Sequence, residues 1–532
     1  MLSVIPMPKL ATELKGSFSL PESAKAYSDF DMPLLAQRAQ LCQTADEACI
    51  VISRDESLAK EGYILDVTVN GIIISANNKI GAYYALQTVR KLCHYDTGGR
   101  QVPCCHIEDE PRFSFRGISL DVSRHFYSVE YIKQFLDWIF MEKLNVFHWH
   151  LTDDNGWRIE IKKFPLLTEI GSKRSFTQIG GWKCAKMEKK EYGGYYTQEQ
   201  IKDVVAYAKE RGITVIPEID FPAHCAAAFA AYNNLACREE KTDVFGFFGG
   251  LIPVAVFKNR DWNRTLCMGK DETFEFVYGV LDEVCELFDS PFIHLGGDEA
   301  PKNEWKKCSR CQQVMKENNL KNEDELQGWF ENKLCEYLKT KGKRMIGWNE
   351  ILAAKNVNNE EKSIVAQYWT PQRDKNAEEY VNNGGQMIMS NHRSFYFDMT
   401  YGQYPLKYTY DYSLKKYGVT DENVKNVLGV EGELWTEWIR DKDRLEMLAF
   451  PRIQALAEVA WTPEDKRDFN DFKARLDDYK PTFDALGINY AVDKVCMIKN
   501  PIKRKHIVNK FFRGNPDLEN QLNAEYKAKG DR

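Results

Sequence analysis

A chain of 532 residues exceeds one ordinary core, and a make-up of 43% hydrophobic and 28% charged residues is that of a globular protein. The net charge of −6, with Lys and Arg scattered, argues against nucleic acid as the main partner. No apolar run approaches the roughly 20 residues a membrane helix needs, so no membrane span is expected.

Residues 1–108 read as a small α/β unit. Cys49–Ser53 and Tyr63–Ser75 have strand character, with Asn70-Gly71 as the hairpin turn, and Lys79–Cys93 has the apolar spacing of an amphipathic helix. Pro103 and Asp109-Glu110-Pro111 look like the boundary. Beyond it, over 109–490, strand-like runs alternate with helices. The strands are Phe115–Val122, Asn145–Leu151, Thr214–Ile219, Phe292–Leu295, Arg344–Trp348, Ser363–Tyr368, Gln386–Ser390 and Val427–Val430. Helices are expected at Val129–Leu144, Gln198–Arg211, Glu272–Phe288, Glu325–Thr340 and Arg444–Val459. Eight alternations predict a (β/α)8 barrel behind a small α/β accessory domain. After the seventh strand, Tyr401–Tyr417 reads as an aromatic-rich loop, and 491–532 as a tail with a peripheral helix or partial disorder.

In such barrels the active site lies at the C-terminal strand ends. Those ends carry Asp121 and Arg124, then His148-Trp149-His150 with Asp153 and Asp154, then Glu218, Asp220 and His224. The fourth runs into His294-Leu-Gly-Gly-Asp298-Glu299, and the rest bring Trp348 with Glu350, Trp369, Tyr396 with Asp398, and Trp435 with Glu437. A purely structural barrel has no reason to gather carboxylates, His and Trp on one face. Trp stacks on sugar rings while carboxylates and Arg bind hydroxyls, and glycoside hydrolysis needs a proton donor plus stabilisation of an oxocarbenium-like centre. Adjacent Asp298 and Glu299 resist joint ionisation, which favours a protonated acid.

The segments Arg116-Gly-Ile-Ser-Leu-Asp121, Phe147-His-Trp-His-Leu-Thr-Asp-Asp154, Pro217-Glu-Ile-Asp-Phe-Pro-Ala-His224 and His294-Leu-Gly-Gly-Asp-Glu299 resemble glycoside hydrolase family 20. So do Gly347-Trp-Asn-Glu350, Tyr396-Phe-Asp398 and Leu434-Trp-Thr-Glu437, and the N-terminal unit is similar to that family's accessory domain. The resemblance implies a retaining exo-β-N-acetylhexosaminidase whose nucleophile is the substrate's own acetamido oxygen. It implies Glu299 as acid and then base, Asp298 as the group orienting the acetamido N–H, and Tyr396 as a hydrogen-bond partner of its oxygen. Arg116 and Glu437 would hold outer hydroxyls, Trp348, Trp369 and Trp435 would wall the pocket, and His150, Asp153, His224 and His294 would form a supporting network. No cofactor or metal is implied, and the partner is a glycan ending in N-acetylhexosamine. Ala223 and Met268-Gly-Lys270 depart from the family's usual Gly and Pro-Gly-Asn at non-catalytic positions.

Other readings stand beside this one. Gly-Gly-Asp-Glu also occurs in diguanylate cyclases, and His148-x-His150 with His224 and His294 could bind zinc. Asp121, Arg124 and His125 are read as a supporting ion cluster rather than substrate contacts. Trp305 is packing or pocket in equal measure, whereas Trp138, Trp329 and Trp461 are read as helix packing. Val244–Phe257 is read as a buried loop, with a surface near the sites that bind the rest of the glycan as the alternative, and Asn263-Arg-Thr265 as a chance sequon. Fourteen cysteines are too sparse for a disulfide scaffold, and Cys308-x-x-Cys311 suggests a local disulfide or two free thiols rather than a metal. The rivals are a lacto-N-biosidase-like enzyme and a catalytically silent glycan-binding barrel. The start Met1-Leu-Ser-Val-Ile-Pro has no signal-peptide pattern, so the protein is cytoplasmic or its export signal has been removed; export is the expectation, and a homodimer is left open.

Overall fold

The computed structural model describes residues 2–184, 186–249, 264–357 and 362–532. The sequon's Asn263 and residues 250–257 of the apolar loop lie outside the described residues. The N-terminal unit is a seven-stranded sheet in the order Leu10–Ser19, Gln101–Asp109, Tyr63–Thr68, Gly71–Ala76, Ile50–Arg54, Lys25–Ser28, Gln40–Leu41. Its hairpin pairs Thr68 with Gly71, so it turns on Val69-Asn70, one residue earlier than the sequence suggests. The helix Lys79–Leu92 is capped by Asn78, whose side chain accepts from the Ile80 and Gly81 N–H groups.

Two strands of this sheet leave little sequence signal. Leu10–Ser19 is an edge strand with a single buried residue, so it shows no inward–outward alternation. Gln101–Asp109 contains Pro103, one of the expected boundary residues. It lies opposite Ser17, just after the register shift between Glu13 and Ser17, and beyond the last rung with Tyr63–Thr68 at Cys105. A missing N–H is tolerated where the ladder is already irregular.

Eight parallel strands then close into a barrel: Phe115–Asp121, Val146–His150, Thr214–Glu218, Phe292–His294, Arg344–Trp348, Val365–Tyr368, Met387–Met389 and Val427–Leu434. Each strand gives one apolar residue (Phe115, Val146, Ile216, Phe292, Ile346, Val365, Ile388 and Leu428) to a plug near the start of the barrel. Farther along, the interior turns polar, with His148, Glu218, His294, Gln367, Glu431 and Glu433 all buried. Gly117 makes room there, since a Cβ would meet Glu431 Oε2 at 2.4 Å.

The helix Gln198–Glu210 begins with a reciprocal capping box between Thr197 and Gln200. The single helix expected over Arg444–Val459 is two, Lys442–Ala449 and Arg452–Trp461, because the residue before Pro451 is steered out of the helical region; Phe450 is extended at φ −106°, ψ 129°. After the seventh strand the chain forms only short helices, including His392–Phe395 and Leu406–Tyr410. The tail is ordered as helices Pro501–Arg513 and Leu518–Ala528. Buried Glu519 accepts from the N–H groups of Tyr401 and Gly402, and Asn523 bridges Tyr490 O and Val492 N. Among the described residues no helix is long and apolar enough to cross a membrane.

Candidate active site

Strand pairing sets Asp121 level with His150, His150 with Glu218, and Glu218 with His294, so four chemically capable side chains share the barrel mouth. Glu218 is the hub. Trp348 Nε1 donates to its Oε1 at 2.8 Å, His150 Nδ1 pairs with Oε2, and His148 Nε2 lies 3.1 Å from Oε2. His294 Nδ1 accepts from the Gly296 N–H at 3.0 Å and lies 3.0 Å from Glu218 Oε1. The other nitrogen of His148 reaches Glu431 Oε1 at 2.8 Å, and Gln367 donates to Glu431 and Glu433. Burial works against the Glu218 carboxylate, but the paired imidazoles of His150 and His148 hold its pKa well below the usual range. Buried charge persists when it is paired in this way.

From the hub the network runs outward. His150 Nε2 is 3.0 Å from Asp153 Oδ2, which also meets Arg124 Nη2 at 2.7 Å. Despite its burial His150 is raised to about 10, by Glu218 and Asp153. His224 lies 3.3 Å from Asp153 through Nδ1, while its Nε2 is 3.7 Å from both Asp298 Oδ2 and Glu299 Oε2. Thus His150, Asp153, His224 and His294 join into one chain of contacts ending on the two carboxylates. His148, Glu218 and His294 also lie close enough to share a metal, as do Asp153, Asp220 and His224. The alternation of imidazole and carboxylate accounts for these residues as a proton-holding network.

Asp298 and Glu299 are neighbours in opposite surroundings. The Asp298 side chain is 16% exposed and Glu299 is 63% exposed. Burial pushes Asp298 up to about 6, with His224 pulling down and Glu299 pushing up. Glu299 adopts φ +48°, a left-handed turn that helps aim the pair differently. The preceding Gly296 is at φ +67°, where a Cβ would sit 1.9 Å from Asp220 Oδ1.

An aromatic wall faces the pair. Trp369 stacks on Tyr396 with centroids 5.9 Å apart, and Trp435 is 5.8 Å from Trp348 and 6.4 Å from Tyr396. Trp369 Nε1 donates to Glu350 Oε2 at 2.7 Å; burial, with Asp298 adding, lifts Glu350 to about 8. Glu437 lies 4.0 Å from Arg124 Nη2, and burial raises it to about 7 against the pull of Arg124. Trp305 is fully buried, its indole donating to Leu266 O at 2.9 Å, so it packs and does not line the mouth.

One expected site residue is elsewhere. Arg116 stands near the start of the first strand, at the opposite end from the mouth, and is fully buried. Its guanidinium is held by Glu61 Oε1 at 2.9 Å, Tyr84 Oη at 3.1 Å, Lys143 O at 2.9 Å and Phe113 O at 2.8 Å. It clamps the N-terminal sheet unit to the barrel and does not reach the pocket. The arginine at the mouth is Arg124, which contacts Asp121 at 3.2 Å and Asp153, and lies 5.4 Å over Trp435. Asp121 in turn accepts from Thr436, fixing the strand-eight end that carries Trp435 and Glu437.

The sequence model described as glycosyl hydrolase family 20, catalytic domain, matches residues 113–464, and that family's domain 2 matches residues 1–110. The chain belongs to glycosyl hydrolase family 20. A relative in this family, a beta-hexosaminidase of Porphyromonas gingivalis, is 36% identical over 92% of this chain; the chain spans 64% of that protein's length. Among solved structures, a family 20 exo beta-N-acetylglucosaminidase of Vibrio harveyi in complex with N-acetylglucosamine aligns with TM-score 0.79 and 31% identity, over 92% of this chain and 78% of that one. A beta-N-acetylhexosaminidase of Bacteroides fragilis aligns with TM-score 0.77 and 30% identity, over 92% and 96%. The closed parallel barrel preceded by a domain 2 is thus the family 20 arrangement.

Proposed function

We propose that the chain is an exo-acting, retaining β-N-acetylhexosaminidase that removes terminal β-linked N-acetylglucosamine or N-acetylgalactosamine by substrate assistance. The observation that carries this reading is the split environment of two adjacent carboxylates: Asp298 sunk beside the aromatic wall and Glu299 at the rim. A sunken carboxylate can orient an acetamido N–H and face the positive charge that develops as the acetamido oxygen bonds to C1. The rim carboxyl can reach the glycosidic oxygen, to which it gives its proton as the C1–O bond breaks. Water then attacks C1, returns a proton to Glu299, and reopens the oxazolinium ring to the acetamide.

Tyr396, whose phenol burial and Glu433 hold well above its ordinary pKa, stays protonated and can donate to the acetamido oxygen. Trp348, Trp369 and Trp435 surround the acetyl group and ring, and Arg124 with Glu437 takes the outer hydroxyls in place of Arg116. His224 links the network to both carboxylates.

The test is hydrolysis of 4-nitrophenyl N-acetyl-β-glucosaminide and its galacto isomer, with the plain β-glucoside as control. Turnover of the N-acetyl sugars, near inertness of the glucoside, and a drop of about 100- to 1,000-fold in Asp298→Asn support the proposal. Comparable turnover of the glucoside would overturn substrate assistance. Glu299→Gln should lose most activity on glycans and less on aryl substrates with acidic leaving groups. Inertness of the wild type would turn the reading to a binding barrel.

A further inference from the structure

Four cysteines far apart in sequence meet at one point. Cys237 Sγ is 3.6 Å from Cys311 Sγ, Cys311 is 3.8 Å from Cys267, and Cys267 is 3.7 Å from Cys308. All four sulfurs lie within 4.8 Å of one another. A tetrahedral zinc with Zn–S bonds of about 2.3 Å sets its sulfurs about 3.8 Å apart, as in these three pairs. Cys267 and Cys311 each have two near sulfur neighbours, so the four sulfurs form one continuous group rather than two isolated pairs. All four are free thiols.

The surroundings fit a cation held by thiolates. Cys308 is the N-cap residue of the nine-residue helix Ser309–Glu317, which carries Cys311 in its first turn. Gly269 packs so tightly on this motif that a Cβ would lie 2.5 Å from the Arg310 carbonyl carbon. Around the motif run ion pairs, Arg238 with Glu304 at 2.9 Å and Lys270 with Glu239 at 2.8 Å, which fix the segments that carry Cys237, Cys267 and Cys308. Lys270 Nζ donates to Ala236 O at 2.8 Å, beside Cys237.

We propose that Cys237, Cys267, Cys308 and Cys311 form a structural zinc site of the tetrathiolate type. The proposal departs from the sequence reading of Cys308 and Cys311 as a local disulfide or two free thiols, and it leaves the barrel-mouth histidines outside the site. Binding would release the four thiol protons to solvent and staple three segments: the chain after Leu235, the approach to helix Asp271–Leu287, and the stretch that follows Glu299. Neighbouring bonds already run between these segments, from Cys267 N to Leu235 O, Trp305 Nε1 to Leu266 O, and Arg238 to Glu304, each at 2.9 Å. The site thus braces the segment carrying the proposed acid without touching substrate.

The test uses the whole chain, purified with a thiol reductant and no added metal, and measures metal by mass spectrometry together with thiol reactivity before and after denaturation in chelator. The expected result is about one zinc per chain, with four thiols becoming reactive only when zinc is released. Cys267→Ser and Cys308→Ser should lower zinc content at least tenfold, while Cys335→Ser, outside the cluster, keeps it. Growth with cobalt should give the wild type the visible absorption of tetrahedral Co2+–thiolate, absent in the cluster variants. A reduced, folded wild type lacking stoichiometric metal would overturn the proposal. So would an intact mass four hydrogens short, which means two disulfides, or zinc undiminished in both cluster variants. The wild-type measurements decide the matter even where a variant fails to fold.

Discussion

The two arginines at opposite ends of the first barrel strand make separable predictions. Arg116→Met removes the partner of Glu61, whose carboxylate Arg116 holds below its ordinary pKa against the effect of burial. Taking one partner from a buried ion pair costs about 3–5 kcal/mol, because the other charge is left unpaired. With roughly 2.1 cal/mol/K of unfolding entropy per residue, that is a fall of about 3–5 °C in Tm for a chain of this length. The kcat/KM of the folded fraction should stay within about threefold of wild type, because Arg116 is far from the mouth. Arg124→Lys keeps the charge and forfeits the planar fork that spans Asp121, Asp153 and Asn155. Losing one or two charged hydrogen bonds costs about 2–4 kcal/mol, or roughly 30- to 1,000-fold in kcat/KM. Thermal melting and initial rates on an aryl N-acetylhexosaminide, measured on the same preparations, separate the two effects. The reasoning is refuted if Arg116→Met cuts kcat/KM more than tenfold at unchanged Tm, or if Arg124→Lys turns over like wild type.

Three further outcomes follow from the geometry. In the proposed mechanism Asp298 is ionised to face developing positive charge, and its pKa is lifted to about 6, so kcat/KM should fall as pH drops through that value; a limb that persists unshifted in Asp298→Asn belongs to another group. Glu331 is fully buried and lifted to about 8 by burial, against about 4.3 unfolded, so its contribution to stability is whole below about pH 4.3 and is lost as pH rises toward 8. Glu331→Gln, which cannot ionise, should therefore gain Tm relative to wild type at pH 8 compared with pH 5, from a ceiling of about 5 kcal/mol; an equal difference at both pH values contradicts the assignment. Gly296→Ala and Gly342→Ala place the same methyl at φ +67° and +69°, but only the first meets Asp220, while nothing lies within 4 Å of the second. The first should abolish activity or soluble yield and the second should cost about 1–2 kcal/mol, as melting and rate measurements would show.

Much of the barrel was legible because its cues are local. Eight short, largely apolar runs mark all eight strands, and amphipathic spacing marks several of the helices between them. What escaped the sequence depends on contacts between distant residues. Leu10–Ser19 owes its strand to its partner Gln101–Asp109, and its own side chains are nearly all exposed. The tail helices owe their order to buried Glu519 and Asn523, single polar residues that no periodicity flags. The four-cysteine cluster is of the same kind. Cys308-x-x-Cys311 is visible as a motif, whereas Cys237 and Cys267 come together through distant pairing, with Ala236 and Leu266 forming an isolated bridge beside them.

Arg116 differs from these, because strand geometry alone argues against its reaching the pocket. Side chains on a strand alternate with period two, so Phe115, Gly117, Ser119 and Asp121 share one face and Arg116 shares the other with Ile118 and Leu120. Asp121 faces the mouth, which by parity alone turns Arg116 outward, toward whatever packs behind the barrel. Its distance from the strand's end adds a second objection: five residues at about 3.3 Å each put it some 16 Å below Asp121. Family resemblance identified a segment that contains an arginine, but resemblance carries no parity. Arg124 lies beyond the strand end, where the chain is free to turn inward, and there its guanidinium meets Asp121 and Asp153. A site residue read from a motif on a barrel strand should therefore pass both tests, parity with the mouth-facing residues and position at the C-terminal end, before a role is assigned.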